Sequence, residues 1–284
     1  PKAANVTVKA TSFDIAQLAG VSQPTVSRAL RGSPTVSEAT RTRIEEIARR
    51  LNYKVDKNAS NLRSRHSNTL ALLLFEDPTP DESMINPFFL SMLGSITRTC
   101  AMRGYDLLVS FQQLSADWHT DYEDSRKADG ILLLGYGDYR DYAQRLGQLA
   151  EQGTHFVRWG AVQPGQQEIV VGCDNQQGGQ AVARHLIERG RSSIAFIGGT
   201  GKGSPEFQDR YRGYKAALKD AGLPLHAGLH VDAISTEASG HDAAIKLMRR
   251  DIPFDALVCA SDLIAIGAIR ALQEAGRRVP DDVA

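Results

Sequence analysis

The chain has 284 residues, 42% hydrophobic and 23% charged, with a formal net charge of zero. This is ordinary globular composition, and no apolar run approaches the roughly 18 residues a membrane-spanning helix needs. Cys100, Cys173 and Cys259 stand far apart without a CxxC pair, which argues against a disulfide framework or a zinc site and suits a reducing cytoplasm.

The zero charge hides an asymmetry. Residues 1–65 hold 12 Lys/Arg against 5 Asp/Glu, and the remainder holds 21 against 28. A basic head on an acidic body is expected where only the head meets a polyanion. The opening PKAANVTVKA has no apolar signal core, so nothing in it directs export.

Thr11 followed by Asp14 predicts a capping box, and Ile15, Leu18 and Ala19 give an apolar stripe. Gly20 is a natural stop because it takes positive φ without a Cβ clash. Ser22 has the chemistry to cap a second helix, with Pro24 at its second position, where a missing N–H costs little. Ser22 is then expected to cap the Thr25 N–H. On that helix Val26, Ala29 and Leu30 point one way, and Gln23, Pro24, Ser27 and Arg28 point the other. Gly32 ends it. Ser37 starts a third helix, in which Ile44, Ile47, Ala48 and Leu51 recur at helical spacing. The expected small core is Ile15, Leu18, Val21, Val26, Leu30, Val36, Ile44, Ile47 and Leu51. The segment AQLAGVSQPTVSR, with Gly20 in the turn, reads as a helix-turn-helix.

The stretch TSFDIAQLAGVSQPTVSRALRGSPTVSEATRTRIEEIARRLNY resembles the DNA-binding domain of the lactose-repressor family of bacterial transcription regulators. The resemblance implies that the second helix enters the major groove, with Gln23, Pro24 and Arg28 facing bases. Arg28 offers a fork to guanine O6 and N7, Gln23 can pair with adenine or another base edge, and Pro24 offers apolar contact only. Thr11, Ser22, Thr25, Ser27, Ser37 and Thr40 are small hydroxyls suited to phosphates, which set register.

Residues 56–65 read DKNASNLRSR, which by composition is an ordinary polar linker. The resemblance implies a hinge that folds on the operator, with Leu62 as a wedge between central bases, Ala59 as a helix contact and Arg63 as a basic minor-groove contact. Val55 stands where many family members have proline.

From Thr69 the pattern changes. Strands are expected at 69–75 (TLALLLF), 105–111, 130–135 (GILLLG), 154–159 (THFVRW), 168–172 (EIVVG), 193–199 (SIAFIGG), 230–235 (HVDAIS) and 256–261 (ALVCAS). Helices are expected over 88–103, between 111 and 130, up to Gly153, and over 176–189, 206–221 and 239–249. This alternation predicts α/β architecture: two doubly wound parallel units in tandem with a cleft between them. NPFF at 86–89, RWGAV at 158–162, DNQQGG at 174–179, RYRGY at 210–214 and ASDLIAIGAIRAL from 260 are similar to the effector domain of the same family, itself related to periplasmic sugar-binding proteins. The expected organisation is an all-α head over 1–54, a hinge over 55–67, and effector subdomains over 68–165 and 166–284. The resemblance implies a further strand and crossovers beyond Ala284, including a ligand-contacting aspartate, and hence unpaired strand edges and a half-open core in the second subdomain.

Sugar sites combine planar polar groups with aromatic platforms. The matching positions are Phe88, Phe89, Arg158, Trp159, Asp174, Arg210 and Asp262. Phe88 and Phe89 also suit a core, and Asp174 and Asp262 suit helix caps. Arg210 is placed at a helix start, and Arg158 with Trp159 facing the cleft. Two arginines keep an acidic or phosphorylated sugar open.

GGTGKGS at 198–204 imitates a phosphate loop, but Gly203 follows Lys202 where Ser or Thr is required, and Phe196 takes the first glycine position. No nucleophile–base pair or metal spacing stands out, so neither an enzyme, a cofactor nor a metal is expected. The reading is a cytoplasmic, nucleoid-associated homodimeric repressor of operator DNA, released by a sugar inducer. A purine-like corepressor and a sugar-transport binding protein are the alternatives.

Overall fold

The computed structural model describes residues 10–53, 66–75, 85–111, 117–135, 139–162, 165–166, 168–201 and 203–284. The expected hinge contacts Ala59, Leu62 and Arg63, and Lys202 of the glycine-rich segment, lie outside the described residues. The chain forms two compact units, residues 1–67 and 68–284.

The first unit holds α1 (Ser12–Ala19), α2 (Gln23–Leu30) and α3 (Glu38–Arg50). The Thr11 amide donates to Asp14 Oδ2 at 2.7 Å and the Thr11 hydroxyl accepts from the Asp14 amide at 3.4 Å, closing the capping box. Gly20 at φ +64° reverses the chain after α1. Pro24 is the second residue of α2, as its missing N–H allows. Ser22 departs from expectation: its side chain makes no capping bond. Its hydroxyl pairs with the Thr25 hydroxyl at 2.9 Å, while the Thr25 amide is satisfied by the Ser22 carbonyl at 2.9 Å.

Ile15, Val26 and Ile44 are fully buried at the centre of the three helices, with Ala16, Ala19, Ala29, Val36 and Ala48 around them. Ile15, Val26 and Ile44 each contribute about 1.5–3 kcal/mol by burial, and the alanines less. Leu18 is 52% exposed and not in this core. Ala16 and Ala19 take the inward positions of α1, and their small side chains let the helices close on one another, which leaves Leu18 to the rim.

The second unit contains two parallel sheets. The first has order β2-β1-β3-β4-β5, from β1 (Thr69–Leu74), β2 (Asp106–Phe111), β3 (Ile131–Leu134), β4 (Phe156–Trp159) and β5 (Ile169–Val171). Interior strand β1 is buried from Ala71 to Leu74, as its unbroken apolar run demands of a strand covered on both faces. Helices α4 (Pro87–Met102) and α5 (Tyr139–Glu151) connect these strands. The helix expected between 111 and 130 is reduced to a short segment around a π-helical turn at Thr120–Asp124.

The second sheet has order β7-β6-β8, from β6 (Ile194–Ile197), β7 (His230–Val231) and β8 (Ala256–Cys259). Its core centres on Phe196 and Ile197 and takes in residues of α6 (Asn175–Glu188), α7 (Pro205–Asp220), α8 (Glu237–Met248) and α9 (Asp262–Glu274). Two corrections arise here. HVDAIS yields only a two-residue strand. EIVVG does not begin the second subdomain: β5 pairs with β4 in the first sheet, Val157 opposite Ile169, so the crossing falls after Val171 rather than at 165/166. The outer edge of β8 carries the last residue, with the Leu257 amide donating to the Ala284 carbonyl at 2.8 Å. A cavity of about 430 Å³ lies beside it, lined by Ile252, Phe254, Leu272 and Val283 among others.

Glycines set the closest helix contacts. A Cβ on Gly179 of α6 would overlap the Arg210 carbonyl of α7, and one on Gly213 of α7 would overlap the Gln176 carbonyl of α6. Gly240 and Gly267 do the same between α8 and α9. No helix among the described residues is long and apolar enough to cross a membrane.

Candidate functional site

Two surfaces carry chemistry. The first is the outward side of α2. Pro24 and Arg28 are exposed, Gln23, Thr25 and Ser27 half-buried, and Val26 and Ala29 fully turned inward. Gln23 Nε2 donates to Ser12 Oγ at 3.2 Å. Thr11, Ser22 and Ser37 stand exposed at the three helix starts. Their hydroxyls already hold Asp14, Thr25 and Thr40 respectively, each at 2.8–2.9 Å. The Thr11 amide and hydroxyl keep the Asp14 carboxyl below the usual carboxylate range.

The second is a cavity of about 260 Å³ between the two sheets' lobes. The first lobe contributes Asn86, Phe88, Trp159 and Gly160; the second contributes Glu206, Arg210, Ser235, Ser261 and Asp262; Cys173 and Asn175 come from the crossing after β5. Phe88 and Trp159 form the aromatic wall, their rings 5.9 Å apart and tilted by 52°. Asn86 caps α4 by accepting from the Phe88 amide at 3.0 Å.

Arg210 is held from two sides. Its Nε donates to Asn175 Oδ1 at 2.9 Å, and Nη1 donates to the Ala260 carbonyl. The guanidinium also lies 5.4 Å from the Phe207 ring centroid. Its orientation is therefore set before any ligand arrives. Ser235 donates to Ser261 at 2.9 Å, and Ser261 caps α9 through the Ile264 amide. Asp262 opens α9 beside it.

Four expectations need correcting. Phe89 is 1% exposed and packs with Leu72, Leu74 and Leu134; neighbouring helix positions diverge by about 100°, so only Phe88 reaches the cavity. Arg158 does not share the cavity with Trp159, because successive strand residues point to opposite faces. It is 5% exposed and bonds the Ala161 carbonyl at 3.2 Å with Glu168 3.6 Å away. Asp174 lies outside the cavity lining, where it caps α6 by accepting from the Gln177 amide at 2.9 Å. Arg210 sits within α7 rather than at its start, and the neighbouring Asp209 carboxylate pairs with Arg212.

Glu206 was not among the expected ligand residues. It is 6% exposed, lines the cavity, and its Oε1 accepts from the Ala161 amide at 2.9 Å. A glutamate in a helix's first turn reads as a surface residue; only the approach of the two lobes buries it. Asn86, Asn175 and Ser261 lie within quoted motifs and Cys173 adjoins one, whereas Ser235 stands at the end of the expected strand 230–235 and no motif points to it. Among the described residues no group of three or more His, Cys, Asp or Glu could hold a metal ion.

A helix-turn-helix unit joined to a two-lobed parallel α/β unit with a polar-aromatic cavity at the lobe junction defines a ligand-binding DNA regulator. Residues 13–56 match the bacterial regulatory proteins of the lacI family, and residues 78–284 match the periplasmic binding proteins and sugar binding domain of the LacI family. The chain belongs to the LacI family of transcription regulators. It is 33% identical to the transcriptional regulator CelR of Thermobifida fusca over 275 residues, 95% of this chain and 79% of the relative. The solved structure of a CelR–cellobiose complex is similar at 31% identity with a TM-score of 0.67, covering 97% of this chain and 81% of that one. The lac repressor dimer bound to operator and an anti-inducer shares the fold, with a TM-score of 0.81 at 22% identity, covering 98% of this chain and 81% of that one.

Proposed function

We propose that this regulator is a homodimeric repressor whose interlobe cavity takes a neutral saccharide as inducer. The observation that carries the ligand class is the cavity's composition. One guanidinium, Arg210, stands against two carboxyl groups, Glu206 and Asp262, beside the Phe88–Trp159 wall. Amide, hydroxyl and carboxylate groups match sugar hydroxyls, and an aromatic face matches sugar C–H groups. The withdrawal of Arg158 into its own ion pair leaves Arg210 as the one cation among the described lining residues, which disfavours acidic or phosphorylated sugars. CelR, a relative seen with cellobiose, supports the saccharide class.

In this reading Gln23, Pro24 and Arg28 face bases, and Thr11, Ser22, Thr25, Ser27, Ser37 and Thr40 address phosphates. The head spans 1–54, and the hinge over 55–67 brings Ala59, Leu62 and Arg63 to the central minor groove. Phe88, Trp159, Arg210 and Asp262 contact the ligand. The protein acts in the cytoplasm on nucleoid DNA and needs no cofactor. Ligand alters operator affinity through its different affinities for two lobe arrangements.

The test is thermal unfolding of the full chain with cellobiose, neutral monosaccharides, their 6-phosphates, uronic acids and purine bases, followed by operator titration with each ligand that raises the midpoint. A neutral sugar is expected to raise the midpoint and weaken operator binding. A shift confined to phosphorylated sugars or purines refutes the ligand class, and tighter operator binding refutes induction.

A further inference from the structure

Ser12 and Gln23 each open a helix, and their side chains meet. Gln23 Nε2 donates to Ser12 Oγ at 3.2 Å, across 11 residues and half out of solvent. This bond caps no helix, and α1 and α2 already hold together through Ile15, Ala19, Val26 and Ala29. Its evident consequence is for the amide itself.

A side-chain amide has two N–H groups and an oxygen with two lone pairs. With one N–H given to Ser12, the second N–H and Oε1 stay available on one planar group. That donor–acceptor pair complements adenine in the major groove, where N6 donates and N7 accepts. We propose that Ser12 is a positioning residue for sequence reading: it holds the Gln23 amide so that each half-site is read as an A·T pair at one position. Ser12 accepts through its oxygen, so its own proton remains for a DNA phosphate. Base reading is thereby tied to backbone register. Pro24, next in the helix, has no side-chain hydrogen bond to compete. Arg28, further along α2, reads a different base pair.

The proposal rests on the reading of Gln23 as base-facing and goes beyond it by naming the base and the residue that orients the amide. An unheld glutamine must be ordered at the moment of binding, which costs affinity for the matched base more than for any other.

The experiment selects the full chain's preferred sites from random duplex DNA, then measures Kd for the best site and its single-base variants. Q23A should cut the preference for A·T at one position by about tenfold. S12A should cut it at the same position by about three- to tenfold. In S12A the preference assigned to Arg28 and the salt dependence of binding should both stay as in the parent, since the number of neutralised phosphates is unchanged. S12T, which keeps the hydroxyl, should restore the preference. An S12A profile that superimposes on the parent overturns the proposal, as does an equal loss on all sequences, which would mark Ser12 as merely structural. A preference for another base at the Gln23 position overturns the assignment of adenine. A Q23A profile identical to the parent overturns the underlying reading of Gln23, independently of Ser12.

Discussion

Glu206 of α7 accepts a 2.9 Å hydrogen bond from the Ala161 amide just beyond β4, so a single buried carboxylate joins the two lobes beside the cavity. Gly160, between Trp159 and Ala161, makes this approach possible: it sits at φ +151°, and a Cβ there would come 2.8 Å from Glu206 Oε1 and overlap the Arg158 guanidinium. The same residue thus both lines the ligand cavity and bridges the lobes.

Glu206→Ala leaves the Ala161 N–H buried without its acceptor, and the expected loss of stability is about 1–3 kcal/mol. Hydrogen exchange over residues 159–162 should quicken. Glu206→Gln keeps a carbonyl acceptor and should retain most of the stability. Denaturant unfolding with peptide-resolved exchange measures both; an alanine variant as stable and as protected as the parent refutes the link.

Two adjacent glycines of α6 should respond in opposite senses. A Cβ at Gly178 meets nothing within 4 Å, so Gly178→Ala should stabilise by about 0.5–1 kcal/mol through reduced chain entropy. Gly179→Ala drives a methyl into the Arg210 backbone, with an expected cost of about 1–3 kcal/mol from overpacking. The Gly179 variant should also bind ligand more weakly, because Arg210 is displaced. Thermal unfolding of the pair is the measurement, and a shared sign rejects the packing argument.

Cys173 is exposed and lines the cavity, whereas burial raises the Cys100 thiol and pushes the Cys259 thiol up to about 12. The thiolate is the reactive form. Iodoacetamide at neutral pH should therefore modify Cys173 first, and a bound ligand should slow that modification. Mass spectrometry of the labelled peptides decides it; prior labelling of Cys259 would contradict the geometry.

Asp14 titrates below 3.8 because the Thr11 amide, and then the Thr11 hydroxyl, bond its carboxylate. A depressed folded value means that the capping box stabilises the head fully above pH 3.8 and loses its contribution as pH falls through the lower folded value. Asp14→Asn should remove this acid dependence. Carboxyl titration by NMR checks the value, and a midpoint at or above 3.8 for Asp14 refutes the capped state.

Arg28 is exposed on α2, and Arg28→Ala should cost about 1–3 kcal/mol of operator binding and relax one base pair per half-site. Affinity equal to the parent's would remove Arg28 from base reading.

The helix-turn-helix and the two parallel sheets were legible because each rests on local rules. The capping box at Thr11–Asp14, the αL glycine at Gly20, the first-turn proline at Pro24 and the unbroken apolar run of β1 all act within a few residues of themselves. Side-chain direction was less legible. Phe89 and Arg158 stand next in sequence to the cavity residues Phe88 and Trp159, yet the 100° step of a helix and the alternation of a strand turn them away from the cavity.

By itself the sequence determined the order of elements, the basic head, the outward face of α2 and the kinds of group available to a ligand. Tertiary structure alone decided that β5 completes the first sheet, that Glu206 is buried against Ala161, and that Arg210 is pinned between Asn175 and Ala260. The reason is separation along the chain. Caps and periodicities are settled by neighbours three or four residues apart, whereas Glu206 and Ala161 are 45 apart and Arg210 and Ala260 are 50 apart. No local pattern records a contact between residues so far apart along the chain, whether within one lobe, as for Arg210 and Ala260, or across two, as for Glu206 and Ala161.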